Sequence, residues 1–400
     1  MPDVVDALDL GDGHRLSITS EGTALSALPM VRDGGRWRRA APHDGTSEAL
    51  LDVLAQQSGS WTSGSFTVRS WTARRAVGER AIGVDQTNES VIVGDTAVVK
   101  WATHLQDGPH PAPSRIAVLR DAGFTGMPAP WGLVTWHPPD REATLAVYVD
   151  EYLPGAIDGW TWAVELMTAA ASSGDHEPLT AAANDVGGLI AQLHVALSST
   201  QSTSSTEAAC RWHRSALHIL EKACALTDSR SGQILRSHRD EVSAELGCLK
   251  DMSDVSVIDG HGDLHVGQVL RSSGRFVVTD FDGNPVLPSS QQVLPIPAVV
   301  DVAGMAQSLA HVAVVAAKYT VLEPEELAAV DTAARSSFLA AYAHRLSSLG
   351  HADLYDPRPL RALRLQQVMR EMIYAAEHLP RWMYVPDAAL LALLEEGTDR

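Results

Sequence analysis

The chain has 400 residues, 45% hydrophobic and 20% charged, which describes a soluble globular protein too long for one compact core. Its formal charge of −18 is opposite to the basic face that a nucleic-acid binder needs, and it suits a small-molecule, even cationic, ligand. Cys210, Cys224 and Cys248 form no CxxC pair and read as reduced thiols of a cytoplasmic protein; "MPDVVDALDLGDGHR" lacks the apolar centre of a signal peptide, and no apolar run of about 18 residues marks a membrane span.

Taken in chain order, residues 1 to about 90 read as strands and turns. "HRLSITSEG", "GSFTVRSWTARRAV" and "ERAIGVD" carry β-branched alternation bounded by Gly and Asp. A helix is predicted near Glu48–Gln57. "NESVIVGDTAVVKW" is a hairpin turning at Gly94-Asp95 and ending on Lys100. Lys100 is one of only four lysines, so its place at the end of an apolar strand stands out. "HPAPSRIAVLRDAGF" has proline at a helix start and Gly123 at its end. "ATLAVYVDEYLPGAIDGW" is a strand running into a Pro-Gly break.

Beyond Pro154 the period changes to helical. Helices are predicted over 160–172, 178–198, 207–227 and 229–250, with the polar linker "SSTQSTSST" at 198–206. Helices resume from Val299 to the end, "PLRALRLQQVMREMIYAAEHL" being the longest run. The organisation expected is a β-rich front lobe, a connection near 150–158 and a helical back lobe.

One stretch interrupts the helices. "HGDLHVGQVLRSSGRFVVTDFDGNP", His261 to Pro285, gathers ionisable groups around two short apolar strands. His261 and His265 have the spacing of a zinc pair, but Gly262 and the flanking strand oppose a helix, and no cysteine lies nearby. A hairpin with solvated turns is the plainest reading of any single residue. For the set, phosphoryl transfer fits better: Asp263 as base on a tight loop, with Gln268 and Asp280 as oxygen ligands of Mg²⁺. A turn at Ser272–Gly274 would bring those two side by side.

"HGDLHVGQ" followed by "DFDGNP" resembles the catalytic and metal motifs of the aminoglycoside phosphotransferase and maltokinase-like families, which share the eukaryotic-type kinase fold. "EMIYAAEHLPRWMYVPDAALLALL" is similar to the C-terminal end of actinobacterial maltokinases and the related glucosamine kinases, and "DEYLPGAIDGW" to their interlobe hinge. The resemblance covers roughly residues 80 to 395. It implies an α+β, bilobal protein-kinase-like fold: a cap subdomain over 1–80, a β-rich nucleotide-binding lobe over 81–153 and a helical catalytic lobe over 154–400.

The resemblance also implies roles. Asp263 matches the catalytic base, Gln268 the metal-binding asparagine of protein kinases, and Asp280 the aspartate of the DFG-type motif. Asp282 stands where maltokinases often have glutamate, and Asn284 replaces a more usual acid. Lys100 would position the phosphates of ATP, with Ser90 at the end of a phosphate-covering loop, Gly83 to Ser90, and Glu151 to Leu153 at the adenine hinge. The helix "PSRIAVLRDAGF" lacks the glutamate that pairs with such a lysine, so that partner stays unassigned. Gln367, Glu371, Tyr374 and His378 share one helix face, as a solvated side or as a sugar-binding surface with Trp382 and Asp301. Asp301 could instead cap its helix or anchor the loop. The acceptor expected first is glucosamine, then maltose, then an aminoglycoside; a sugar-sensing pseudokinase is the alternative of another class. The partners expected are a small sugar, ATP and Mg²⁺, with no nucleic acid or membrane, in a monomer or homodimer.

Overall fold

The computed structural model describes residues 3–82, 89–139, 141–226 and 229–398. The chain forms an α+β fold of two compact units, Met1–Ala156 with Asp280–Leu294, and Ile157–Thr279 with Pro295–Arg400.

The first unit is built on sheets. Strands β1 (Asp3–Gly11), β2 (His14–Glu21), β3 (Ala24–Asp33) and β4 (Arg36–Arg39) form an antiparallel meander. A second, seven-stranded sheet contains β5 (Gly59–Ser63), β6 (Phe66–Ser70), β7 (Glu79–Ala81), β8 (Glu89–Val93), β9 (Ala97–Trp101), β10 (Pro130–Trp136) and β11 (Thr144–Glu151), in the order β5-β6-β10-β11-β9-β8-β7. Helices α1 (Thr46–Gln56), α2 (Ala112–Asp121) and the short α8 (Ser289–Gln292) complete it. No division falls at residue 80. Leu16 and Ile18 of β2 share one core with Leu50, Leu51 and Leu54 of α1 and with Val99, Trp101 and Val134 of the larger sheet. Each fully buried leucine or isoleucine contributes about 1.5–3 kcal/mol, so the two sheets are fastened through the helix they share.

Glu79 ties this unit together. Its carboxylate, 5% exposed, accepts from the backbone N–H of His43, Gly45, Ser47 and Glu48 at 3.0, 3.0, 2.6 and 3.1 Å. An anion from a strand thereby satisfies the N-terminal donors of α1 and faces the positive end of its dipole. Glu79→Ala is expected to lower stability by about 2 kcal/mol, because it leaves buried N–H groups without acceptors. Denaturant unfolding checks this; an unchanged midpoint would remove the anchor role.

The second unit is helical: α3 (Gly159–Ser173), α4 (Glu177–Ala196), α5 (Thr206–Cys224), α6 (Arg230–Ser237), α7 (Arg239–Leu246), α9 (Val299–Tyr319), α10 (Pro324–Ser348), α11 (Leu360–His378) and α12 (Tyr384–Thr398). Two-residue strands β12 (Ser202–Thr203) and β13 (Ser256–Val257) pair with each other, and β14 (Val269–Ser272) pairs with β15 (Arg275–Val278). The single helix predicted over 229–250 is broken. Ser237 Oγ donates to Ile234 O at 2.7 Å and His238 leaves the helical region, ending α6 before α7 begins. The longest helix is α10, with 25 residues, rather than α11, with 19.

Helix α9 does reach the length and apolarity of a membrane span, contrary to the reading of the sequence. Its most apolar window is 78% buried inside the unit, so packing accounts for its character. Val302, Met305, Ala306, Leu309 and Val312 are at most 2% exposed.

Candidate active site

The loop after β13 begins with Ile258, bridged to Ile296, and runs through His261–Gln268. Asp301, in the first turn of α9, holds it. One carboxylate oxygen accepts from His261 N–H at 2.7 Å and the other from Gly262 N–H at 2.8 Å. His194 Nε2 lies 3.2 Å from the first, and His194 Nδ1 lies 2.7 Å from the Tyr342 hydroxyl. Burial opposes ionisation of Asp301, but the His194 bond, the nearby imidazoles and the Gly262 N–H keep its carboxyl below the ordinary range. Asp301 is also a substrate-binding candidate from the sequence; its side chain is 0% exposed, and both its oxygens accept from the loop.

His261 is equally enclosed. Its Nε2 donates to Thr279 O at 3.0 Å, which leaves Nδ1 facing the Asp263 N–H at 3.4 Å. Further along, Val266 N–H donates to Ser308 Oγ at 2.8 Å, and Trp162 Nε1 donates to Val269 O at 2.8 Å. Gly304 of α9 must be glycine here, since a Cβ would stand 2.3 Å from Leu264 O. Asp263 thus sits on a loop fixed mainly through its main chain, with its own side chain half-buried.

The hairpin β14–β15 turns at Ser273-Gly274, both left-handed at φ 50° and 78°, with Ser272 opposite Arg275. That geometry suits the twist of a two-residue turn. The ladder ends with Thr279 N–H donating to Gln268 O at 2.9 Å. Gln268 Nε2 lies 3.4 Å from His265 Nε2. Asp280, next in the chain, belongs to the first unit.

On α11, the face predicted from spacing divides. Tyr374 and His378 are exposed and touch each other at 5.1 Å between ring centroids. Gln367 and Glu371 are half-buried, and Gln367 Nε2 donates to Glu371 Oε1 at 3.0 Å. Glu371 Oε2 is buried and makes no aligned hydrogen bond. Burial, with the nearby Asp263 charge and against the Gln367 bond, pushes the Glu371 carboxyl up to about 8. Arg370 also feels Asp263, though burial lowers its guanidinium from the ordinary value. Trp382 packs edge-on to Trp160 and Tyr384, at 5.7 and 5.8 Å between centroids, and Trp160 lies 6.5 Å from His265.

In the first unit, Lys100 of β9 stands opposite Ser90 of β8 on one side and Tyr148 of β11 on the other. Asp150 is two residues beyond Tyr148, on the same sheet face, and its Oδ2 receives the Lys100 ammonium at 2.9 Å. This is the acid left unassigned from the sequence; it comes from a neighbouring strand and not from α2. Burial opposes the Lys100 charge, but Asp150, Asp280 and Asp282 outweigh it and raise its pKa. Glu151 N–H donates to Ala129 O at 2.9 Å, and Leu153 O accepts from Ala156 N–H at 3.2 Å. Residues 83–88 of the expected phosphate loop lie outside the described residues.

The segment 280–294 is clamped by Arg115, a buried arginine of α2. It donates to Phe281 O at 3.1 Å and Gln292 O at 2.9 Å. Asp280 is held in the left-handed region at φ 65°, uncommon for a residue with a side chain. Burial and the adjacent Asp280 charge push the Asp282 carboxyl up to about 7. Two crowded carboxylates are hard donors whose repulsion a divalent cation relieves. Among the described residues no group of three His, Cys, Asp or Glu could hold a metal. Such a carboxylate pair would suit an ion that completes its shell with phosphate oxygens and water, as Mg²⁺ does. Asp150, Arg115 and Arg370 lie in stretches the sequence singles out, but their partners are distant in the chain, so their roles escaped the sequence reading.

No protein-family model matches the chain. A curated glucosamine kinase of Mycolicibacterium smegmatis (strain ATCC 700084 / mc(2)155) is 61% identical over 396 residues, covering 98% of this chain and 99% of the relative. A glucosamine kinase of Streptacidiphilus jiangxiensis is 43% identical, covering 97% and 90%. The solved structure of a glucosamine kinase in complex with glucosamine, ADP and inorganic phosphate superposes with a TM-score of 0.87 at 39% identity, covering 98% of this chain and 93% of that one.

Proposed function

The chain belongs to the glucosamine kinase family, and on that premise we propose that it transfers the γ-phosphoryl group of ATP to glucosamine, giving glucosamine 6-phosphate and ADP. The observation that carries the choice of sugar is Glu371. A half-buried carboxylate with one oxygen lacking an aligned hydrogen bond, next to the charge field of Asp263, is a counter-ion for an ammonium group. Maltose carries no such cation.

Asp263 accepts the proton of the sugar's 6-hydroxyl as its oxygen attacks the γ-phosphorus. The O–P bond to glucosamine forms while the bridging bond to ADP breaks. Lys100, kept charged and oriented by Asp150, positions the triphosphate. Ser90 and the main chain of Glu151 and Leu153 serve the nucleotide beside it. Gln268 and Asp280 would hold Mg²⁺, with Asp282 close by; when bound, the ion neutralises charge on the phosphoryl oxygens. Gln367 and Glu371 hold the sugar's polar groups, and the half-buried indole of Trp382 supplies an apolar face for the ring. Cys210, Cys224 and Cys248 are all free thiols, in keeping with a reducing cytoplasm, and we take the working form to be a monomer or homodimer.

A coupled ADP-release assay with glucosamine, maltose, glucose and kanamycin tests the reading. The expected result is the highest kcat/KM with glucosamine. Preference for maltose or kanamycin would overturn the choice of sugar. Sugar binding without ADP release from any of them would make the protein a sensor.

A further inference from the structure

Behind Glu371 lies a line of polar side chains, half-buried at its far end and buried from Arg364 to His311, that runs in one direction. Arg335 meets Glu396 of α12 at 2.9 Å and Asp331 at 2.9 Å. Glu396 in turn receives Arg364 at 2.7 Å. Arg364 Nε donates to Gln307 Oε1 at 3.1 Å. Gln307 Nε2 lies 3.0 Å from His311 Nε2. His311 Nδ1 lies 3.2 Å from Glu371 Oε2.

The chemistry of these groups leaves one polarity. A guanidinium has donors and no acceptor, so the Gln307 atom facing Arg364 must be its oxygen. The Gln307 amide nitrogen then faces His311 and donates to Nε2. An Nε2 that accepts carries no proton, so the neutral imidazole carries its proton on Nδ1. The protonated nitrogen is the one nearer Glu371, with Nδ1 3.2 Å from Oε2. His311 is 2% exposed, and Gln307 1%, so water does not compete for the bond between them. The geometry at the last step is close in distance but not aligned, which matches an Oε2 whose partner set is incomplete.

We infer that His311 is a positioning residue for amino-sugar selectivity: locked by Arg364 through Gln307 as the Nδ1–H tautomer, it orients the Glu371 carboxylate toward the ammonium of the bound sugar. The inference rests on the glucosamine reading above. It also makes Glu396, near the end of the chain, part of the support for selectivity, because Glu396 sets Arg364.

The test compares His311→Leu, His311→Asn and Gln307→Met with the wild type on glucosamine and glucose. His311→Leu is expected to raise KM for glucosamine about tenfold, the scale of one hydrogen bond to a charged group, with kcat and the KM for ATP within about twofold. The preference for glucosamine over glucose falls by the same factor. His311→Asn, which keeps an N–H near the Nδ1 position, restores most of it. Gln307→Met, which frees the tautomer without touching Glu371, shifts selectivity in the same direction and covers the case of a misfolded His311→Leu. A structural role alone would lower kcat and affect both sugars alike. Unchanged selectivity in folded His311→Leu or Gln307→Met overturns the inference, as does an Asn variant no better than Leu. If Glu371→Gln shifts the KM for glucosamine while these variants do not, only the relay fails. If the wild type shows no preference for glucosamine, the functional reading itself fails.

Discussion

Asp263→Asn is expected to lower kcat by about 100- to 10,000-fold, the range for loss of a general base, while ATP binding stays near the wild-type level. The substitution is isosteric and removes the capacity to accept a proton. It leaves the loop in place, because the main chain of the loop is anchored on Asp301 and Ser308 and the His261 ring on Thr279 O. Steady-state kinetics with a nucleotide-binding measurement separates the two effects. A variant that turns over near the wild-type rate would remove Asp263 from the reaction.

Glu371→Gln is expected to raise KM for glucosamine by about 30- to 1,000-fold, the cost of leaving a desolvated charge without its partner. Turnover of glucose, which has no ammonium, changes little. The raised carboxyl also predicts a pH dependence. With a pKa near 8, Glu371 holds a proton at neutral pH in the free enzyme, and a cation binds the ionised form. Affinity for glucosamine therefore improves as pH rises toward about 8, by up to about tenfold per unit, until the amine loses its own charge. Glu371→Gln should be flat over that window. For the ligand-free fold the sign is opposite. Its pKa is raised from 4.5 to about 8, so its contribution to stability is present below the lower value and is lost as pH climbs to the upper. The Gln variant lacks that slope, which thermal unfolding at several pH values would show. A glucosamine KM independent of pH in the wild type would argue against Glu371 as the counter-ion.

The stretch that drew attention in the sequence was legible because its signals are local. "SSGR" between two apolar runs specifies a two-residue turn, and Ser273 and Gly274 adopt the left-handed backbone that such a turn requires. The alternation on either side sets which residues end the hairpin, so Gln268 and Thr279 meet across it. Lys100 was visible by its rarity and its place at the end of a strand. The clustering of two aspartates in "DFDG" needed no fold to notice.

Other parts were illegible for an equally physical reason. Asp150 pairs with Lys100 from 50 residues away, and only the register of β9 against β11 makes them neighbours. Asp301 was read as a cap, an anchor or a ligand contact, and the choice among these depended on how α9 meets the loop, through hydrogen bonds spanning 39 and 40 residues. The helix predicted over 229–250 followed its apolar period correctly but missed that His238 leaves the helix.

By itself, then, the sequence determined the local pieces: the turn, the strand ends, the apolar helix faces and the run of acids that chemistry can use. These depend on the conformational preferences of a few consecutive residues. The tertiary structure alone decided which buried charge faces which, because a carboxylate's role is set by the partners and the water that packing brings or removes. Glu371 shows this most plainly, since its place on a helix face was readable but its raised pKa and its His311 neighbour were products of burial.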